Sequence, residues 1–458
     1  MLTFSPLLFL DLSIINCTIN IMVPSLSSHF EKRLPSAIRQ AQIIFAQRQD
    51  KNEVQVVNLA IGNVSLPMHP AMQKRMNELG ENRFNDGVVK YTPSVGTDEA
   101  RKAFLNIIAS EGVETSHLYC MITDGGSQAM EIMMLGVCGP LSQKPLMLLD
   151  PAYTNYIEFG KRLSIPIVTA NREILADGSF DSLNLNEIEL IIQKENPSAM
   201  LVIPADNPTG QYLHQDQLND LAKICVKHNI WMVSDEAYRQ LYYGDGGSSS
   251  IWRITDDDVP GIIGSRISIE SSSKVWNACG LRIGGIVTDN QDYHKKAVSE
   301  YTANLCANVI GQEIFGALAH ESHDDLKSWY NSQRNYYQPI MQALRKSLMK
   351  EIPGLIVTKP EAAIYIVIDF RKICDKSFDA KEFVSYCASE GKVKINGQYF
   401  TLLLAPMNGF YAEPDKGKTQ MRIAMVEPSS LIEKTSLLLL LYKQNLNSIS
   451  PFLKKILI

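Results

Sequence analysis

The sequence predicts an α/β protein. A large domain carries a mostly parallel, doubly wound sheet covered by helices, and a smaller α+β domain is built from the N- and C-terminal parts. Three observations lead there. Between about residues 120 and 290, short apolar runs alternate with helical stretches, the pattern of strands buried on both faces of a parallel sheet. After about residue 325 the texture changes to a long polar helical run followed by spaced apolar runs. Polar residues of chemical interest sit mostly at the ends of the apolar runs, where open α/β sheets place their sites.

The elements follow in order. Met1 to Met22 is fairly apolar, but no Lys or Arg precedes Lys32 and Asp11 interrupts the run. That is the wrong pattern for a secretory signal and too short for a membrane span. Residues 1–30 are therefore expected to be a disordered extension, with Met22 a candidate for the effective start. Residues 31–66 would form an N-terminal arm and part of the small domain, 67–322 the large domain, and 323–458 the small C-terminal domain. From Pro35 to Arg48, Ile38, Ala41, Ile44 and Phe45 recur at helical spacing. Val54 to Ala60 reads as a strand ending at Gly62, Pro67 to Gly80 as a helix, 85–96 as a loop and Asp98 to Glu111 as a helix. Strands are expected at Cys120–Thr123, Leu146–Asp150, Ile165–Ala170, Met200–Pro204, Trp231–Asp235, Ser265–Glu270 and Gly285–Thr288. Helices are expected at Ser127–Leu135, Gln215–His228 and, as one long element, Tyr293–His320. Beyond a polar helix reaching Lys350, strands are expected at Leu355–Thr358, Ala363–Asp369 and Gln420–Met425, and a helix near 380–391.

Composition excludes several classes. The 458 residues carry 44 Lys and Arg against 49 Asp and Glu, so there is no basic footprint for nucleic acid. With 45% hydrophobic and 20% charged residues, the chain is ordinary for a globular protein. Eight cysteines are scattered singly, without C-x-x-C or metal spacing. No metal site is expected, and reduced thiols fit a cytoplasmic location. No membrane association is expected.

The chemistry centres on Ser271-Ser272-Ser273-Lys274 and Arg282. Hydroxyls and a guanidinium are phosphate ligands. A lysine beside them, partly desolvated, suits Schiff-base chemistry, whereas a plain reading would be a flexible loop. Gly125-Gly126-Ser127 opens an apolar helix after a strand, where free N–H groups and the helix dipole favour an anion; alone it is also an ordinary turn. Tyr153, just past a strand, could lie against an aromatic ring or simply fill the core. Asn207-Pro208-Thr209-Gly210 is turn chemistry that leaves the Asn207 amide free to donate. Asp235 closes an apolar strand, so its carboxylate wants a cationic or hydrogen-bonding partner, with Tyr238 three residues on. A helix N-cap is the plain alternative for it.

In this order and spacing, Asn207-Pro-Thr-Gly, Asp235-x-x-Tyr238, Ser271-x-Ser273-Lys274 and Arg282 resemble the pyridoxal-phosphate aminotransferases of fold type I, class I/II, from about Pro35 to Pro428. The resemblance implies roles. Lys274 would carry the cofactor as a Schiff base and shuttle a proton. Asp235 would pair with the ring nitrogen, Tyr238 and Asn207 would bond the ring hydroxyl oxygen, and Tyr153 would stack on the ring. Gly126, Ser127, Ser271, Ser273 and Arg282 would hold the phosphate. Tyr91 resembles the tyrosine that reaches the phosphate from a neighbouring subunit, which implies a homodimer with shared active sites. Arg422 resembles the arginine that forks the substrate carboxylate, and Gly62 would line the site beside it. The implied reaction moves the amino group of an L-amino acid to a 2-oxo acid such as 2-oxoglutarate by ping-pong kinetics.

Carbon–sulfur lyases and aminocyclopropane-carboxylate synthase-like enzymes share Lys274, Asp235 and Arg422 and stay open as alternatives. A regulator with an aminotransferase-like domain would need a basic helix-turn-helix ahead of the matched region, and the residues there are not basic. A cofactor-free binding relic fits poorly with Lys274 and Asp235 both present. In one aspartate-using branch Thr stands where Ile38 stands here, and the sequence alone places no second cation for a side-chain carboxylate. Aspartate or aromatic donors are expected.

Overall fold

The structure is a computed structural model that describes residues 24–449 apart from 245 and 414. The expectation for the first 23 residues lies outside the described residues. The chain divides into two units, Met1–Pro35 and Ser36–Ile458. In the first, the short helix Ser28–Glu31 is capped by Ser27, whose Oγ accepts from Phe30 N at 3.3 Å.

The second unit holds fourteen described strands. They are β1 (Val54–Asn58), β2 (Tyr119–Thr123), β3 (Leu146–Asp150), β4 (Ile167–Asn171), β5 (Ala199–Val202), β6 (Trp231–Asp235) and β7 (Arg266–Ser271). They continue as β8 (Gly284–Thr288), β9 (Ile356–Val357), β10 (Tyr365–Asp369), β11 (Val393–Ile395), β12 (Gln398–Leu403), β13 (Ala405–Pro406) and β14 (Gln420–Ala424).

Seven strands form the large sheet in the order β2-β8-β7-β6-β5-β3-β4. The pairs from β7 through β6, β5 and β3 to β4 are parallel, and β8 runs antiparallel to both neighbours. The run Leu-Met-Leu-Leu-Asp of β3 is buried along its whole length, as continuous apolar strands must be when helices cover both faces. Because the parallel strands leave the sheet at one edge, the ends of β3, β5, β6 and β7 come together there. Register sharpens this: Asp235 pairs with Ile269, and Ser271 with Gly284.

Two smaller sheets complete the unit, β1-β12-β11 and β13-β14-β10-β9. The first joins N- and C-terminal chain, since β1 lies parallel to β12. In the second, Val367 of β10 and Ala405 of β13 flank Arg422 of β14.

Local chemistry explains the helix starts. Thr97 Oγ1 accepts from Ala100 N at 3.2 Å to open the helix Asp98–Ala109. Pro70 occupies the first turn of Pro70–Asn77, whose cap is His69 Nδ1, accepting from Ala71 N at 3.2 Å. The expected single helix over Tyr293–His320 is broken. It becomes Gln291–Tyr301 and Val309–Gly316 with short turns between and after them. Leu305 adopts a left-handed φ of 69°, and Asn308 caps the second helix by accepting from Gly311 N at 3.1 Å. The Asn308 N–H is drawn away to Asp124 Oδ1 at 2.8 Å. β11, β12 and β13 were not anticipated. Among the described residues, no helix is long and apolar enough to cross a membrane.

One close approach fixes the site's floor. A Cβ at Gly284 would lie 2.4 Å from both Gly125 C and Gly126 N, so β8 touches the turn that starts the helix Gly126–Val137. Gly284→Ala is expected to destabilise the fold by about 1–3 kcal/mol through overpacking, seen as a lower urea midpoint. Gly80→Ala, where a Cβ meets nothing within 4 Å, serves as the neutral control. An unchanged midpoint for Gly284→Ala would show that the turn yields freely.

Candidate active site

The ends of β3, β5, β6 and β7 face one cavity of about 660 Å³. Its centre is Asp235, the last residue of β6, only 4% exposed. Asp235 Oδ1 accepts from Ala237 N at 3.0 Å and Oδ2 from the Tyr156 hydroxyl at 3.0 Å. Burial pushes its carboxyl up to about 6, while those two hydrogen bonds pull the other way. Such a group gains from any cation brought beside it.

Behind Asp235 lies a buried charge network. Arg239 donates through Nη2 and Nε to Glu270 at 2.6 and 3.1 Å, and through Nη1 to Glu111 at 2.9 Å. Glu236, next to Asp235, takes part at 3.7 Å from Arg239. Since Glu270 precedes Ser271, this network ties the end of β6 to the end of β7. Removing one member would leave an uncompensated buried charge.

The next group of residues is an anion cup. Gly125 takes φ 78°, and the helix Gly126–Val137 begins at the cavity wall, so its first N–H groups face inward. A Cβ at Gly126 would sit 3.7 Å from Ser271 Oγ, and one at Gly125 would sit 2.3 Å from Arg282 Nη2. The Arg282 guanidinium therefore lies against the Gly125 turn, held by Nη1 donating to Cys279 O at 3.0 Å. Ser127, Ser271 and Ser273 complete the wall. Neutral hydroxyls, helix N–H groups and one guanidinium form a donor set for a phosphate.

Across the cavity stands the amine. Lys274 Nζ donates to Gly62 O. A Cβ at Gly62 would meet Tyr365 Oη at 2.4 Å and Lys274 Nζ at 3.4 Å, so only glycine leaves room there. Tyr238 and Tyr365 share a hydrogen bond through their hydroxyls. Burial and the Tyr365 phenol raise the Tyr238 hydroxyl well above its ordinary range, so it stays protonated and able to donate.

Arg422 closes the far end, 1% exposed. Its guanidinium carbon lies 4.3 Å from the Tyr365 ring centre and 4.9 Å from that of Phe410, a stack favourable to a planar cation. Nη1 donates to Asn207 Oδ1 at 2.8 Å and Nη2 to Ala60 O at 2.5 Å. Nε is buried without a partner, and each Nη keeps a second hydrogen. Asn207 is held in turn by its loop. Arg172 Nη2 reaches Asp206 Oδ2 at 2.8 Å, and Glu361 and Ala362 N–H groups donate to Gly210 O at 2.9 and 2.8 Å.

Gly62, Gly126, Ser127, Tyr153, Asn207, Asp235, Tyr238, Ser271, Ser273, Lys274, Arg282 and Arg422 all line this one cavity. Tyr91 does not: it is 78% exposed and is not among the residues that line the cavity. Sequence reasoning missed Tyr365, Phe410, Tyr156 and Arg39. Tyr365 sits inside an apolar run and reads as core. Tyr156 carried a faint signal, three residues after Tyr153 on one helix face. No group of three or more His, Cys, Asp or Glu among the described residues is arranged to hold a metal.

The donor set fits pyridoxal phosphate: an anion cup, a buried carboxyl that favours a cation, and an amine lining the same cavity. Comparison with known proteins agrees. The family model for aminotransferase class I and II matches residues 54–430. An aspartate aminotransferase of Sulfolobus acidocaldarius is 26% identical over 391 residues, covering 84% of this chain and 89% of that protein. A probable aspartate/prephenate aminotransferase of Aquifex aeolicus is 24% identical over 317 residues, covering 68% and 76%. A single-mutant aspartate aminotransferase of Thermus thermophilus superposes with a TM-score of 0.75 at 19% identity, covering 91% of this chain and all of that one. With the motifs, the cavity and the family match in agreement, the chain belongs to the class I and II aminotransferases and is a pyridoxal-phosphate-dependent transaminase.

Proposed function

We propose that this transaminase passes the amino group of an L-amino acid, aspartate or an aromatic one, to a 2-oxo acid such as 2-oxoglutarate, in two alternating half-reactions. The observation that carries the reading is the single cavity joining the Lys274 amine, the buried Asp235 carboxyl, the anion cup and the Arg422 fork. When bound, pyridoxal phosphate supplies an aldehyde that condenses with amines and a ring that accepts the electron pair left at Cα.

The chain's residues would do the rest. Gly126, Ser127, Ser271, Ser273 and Arg282 would hold the phosphate. Asp235 would keep a proton on the ring nitrogen, its own geometry fixed by Tyr156. Tyr238 and the Asn207 amide would donate to the ring hydroxyl oxygen, and Tyr153 would lie against the ring. Arg422, with Nε and its remaining hydrogens, would take the substrate α-carboxylate beside Gly62. Lys274 Nζ would then remove and return the proton at Cα.

Several wider features belong to the same proposal. Tyr91 stands exposed on the loop before Pro93, as a residue reaching a second copy would, which supports a homodimer with shared sites. The seven described cysteines are free, which supports the cytoplasm as location. The large sheet and the two smaller ones support an arm over 31–66, a large cofactor-binding domain over 67–322 and a small domain beyond.

A panel of amino donors with 2-oxoglutarate, followed by product chromatography, tests the reaction class. Glutamate formation supports transamination. Pyruvate and ammonia released without an acceptor would point to a carbon–sulfur lyase instead. Three substitutions test the roles. Lys274→Ala is expected to abolish the near-visible band of the bound cofactor and to cut turnover by about 10³-fold or more; keeping both would exclude Lys274 as base. Asp235→Asn is expected to lower kcat by about 10²- to 10³-fold and to weaken cofactor retention on dialysis; wild-type kinetics would remove it from the ring nitrogen. Arg422→Lys is expected to raise the amino acid KM by about tenfold and to lower kcat, because a point charge replaces a stacked fork. An unchanged KM would put the α-carboxylate elsewhere.

A further inference from the structure

We propose that a second cavity binds an α-amino acid as a zwitterion, with Arg253 and Arg334 taking its carboxylate and Glu111 and Tyr330 its ammonium group. This cavity shares no lining residue with the one around Lys274, and the proposal does not rest on the reaction assigned there.

The cavity holds about 360 Å³, within the range of roughly 300–1,000 Å³ usual for small-molecule sites. Three pieces of chain build it: the end of the helix Asp98–Ala109, the stretch following Tyr238, and the helix His323–Glu351. Its two half-buried arginines are held but not neutralised. Arg253 donates through Nη1 to Ser248 O at 2.7 Å and through Nη2 to Glu111 O at 2.8 Å. Arg334 donates through Nη1 to Gln240 O at 2.9 Å and through Nη2 to Asn331 Oδ1, with its guanidinium carbon 4.8 Å from the Tyr242 ring centre. Among the described residues neither forms an ion pair, and each Nη keeps a second hydrogen. Neutral acceptors and a ring thus fix each fork while leaving its charge available to a carboxylate.

Two other lining residues are buried and carry an unmet polar atom. The Glu111 side chain is 1% exposed. Its Oε1 accepts from Arg239 Nη1 at 2.9 Å, whereas Oε2 has no partner. Tyr330 is 3% exposed, and its hydroxyl is also without one. Buried polar atoms are seldom left so, and an ammonium group has donors enough for both. Charge decides between occupants. A phosphate or a simple carboxylate would suit the arginines but would bring unbalanced negative charge beside Glu111, where Glu236 and Glu270 already crowd Arg239. A zwitterion adds no net charge and sets each end against its opposite. The site also touches the supports of the reacting groups. Glu111 belongs to the Arg239 network behind Asp235, and the Tyr330 ring lies 5.5 Å from that of Trp276, just past Lys274.

Equilibrium dialysis of the holoenzyme tests this, with labelled leucine, phenylalanine and aspartate in turn and no 2-oxo acid present. The cofactor's absorbance separately counts what enters the cavity around Lys274. At least one of the three amino acids is expected to bind in excess of that count. Its deaminated acid and its decarboxylated amine should each bind the second cavity at least about tenfold more weakly, since each lacks one of the two charges. Arg253→Gln and Arg334→Gln should each weaken the excess binding about ten- to a hundredfold, with the absorbance change as in the wild type. Excess binding by none of the three would overturn the assignment. So would the lone acid, or inorganic phosphate, binding as tightly as the amino acid, which would mark a simple anion site. Excess binding unchanged in both variants would place it elsewhere. The comparison with the acid and the amine uses wild-type protein, so it decides the matter even where an arginine variant fails to fold.

Discussion

The site depends on a carboxyl forced into a dry strand end. Asp235 terminates a strand whose residues are nearly all buried, between neighbours that are buried as well. An isolated carboxylate there would cost several kcal/mol. Two hydrogen bonds offset part of that, and the rest appears as a carboxyl held near 6. The stress is useful. A group that is costly to ionise alone is one that ionises readily beside a cation, so the scaffold reserves this place for a positively charged ring edge. The Arg239 network behind it keeps the strand end from relaxing: Glu270 lies on β7, Glu236 directly follows β6, and Arg239 pairs with both.

Around that centre the walls are set by close approach. Gly62, Gly125 and Gly284 each occupy a place where a methyl group would strike a side chain of the cavity wall, Tyr365 or Arg282, or the backbone of the anion cup. Gly210 does the same under β10, where a Cβ would lie 2.3 Å from Tyr365 O. The cavity is thus lined by backbone brought within touching distance, and its polar side chains have little freedom to drift. This is how a chain delivers pre-organised donors without committing every one to a structural partner.

Most of the fold was legible because its signals are local. Continuous apolar runs of β3 and β6 name buried parallel strands, and a polar residue ending each run, Asp150 or Asp235, marks the sheet edge where sites gather. Lys274 and Arg282 were legible for the same reason: three hydroxyls and two cations in twelve residues have few structural uses. The missing pieces depend on long-range contact. Tyr365 looks like core until β10 pairs with β14 and sets it over Arg422. Phe410 joins that stack from a short turn with no motif of its own. Arg39 reads as one more surface charge on an amphipathic helix, because nothing nearby in sequence says that the helix borders a cavity. The break after Tyr301 was hidden too, since a leucine rarely takes the left-handed conformation found at Leu305.

The seat of Arg422 has a consequence for how the protein is made. Ala60 and Arg422 are 362 residues apart in the chain, and Asn207 lies between them. Every residue of the anion cup has been synthesised once Arg282 is added, whereas the carboxylate end waits for one of the last strands. The residues that would hold the vitamin-derived partner thus precede in the chain the strand that completes the place for a metabolite.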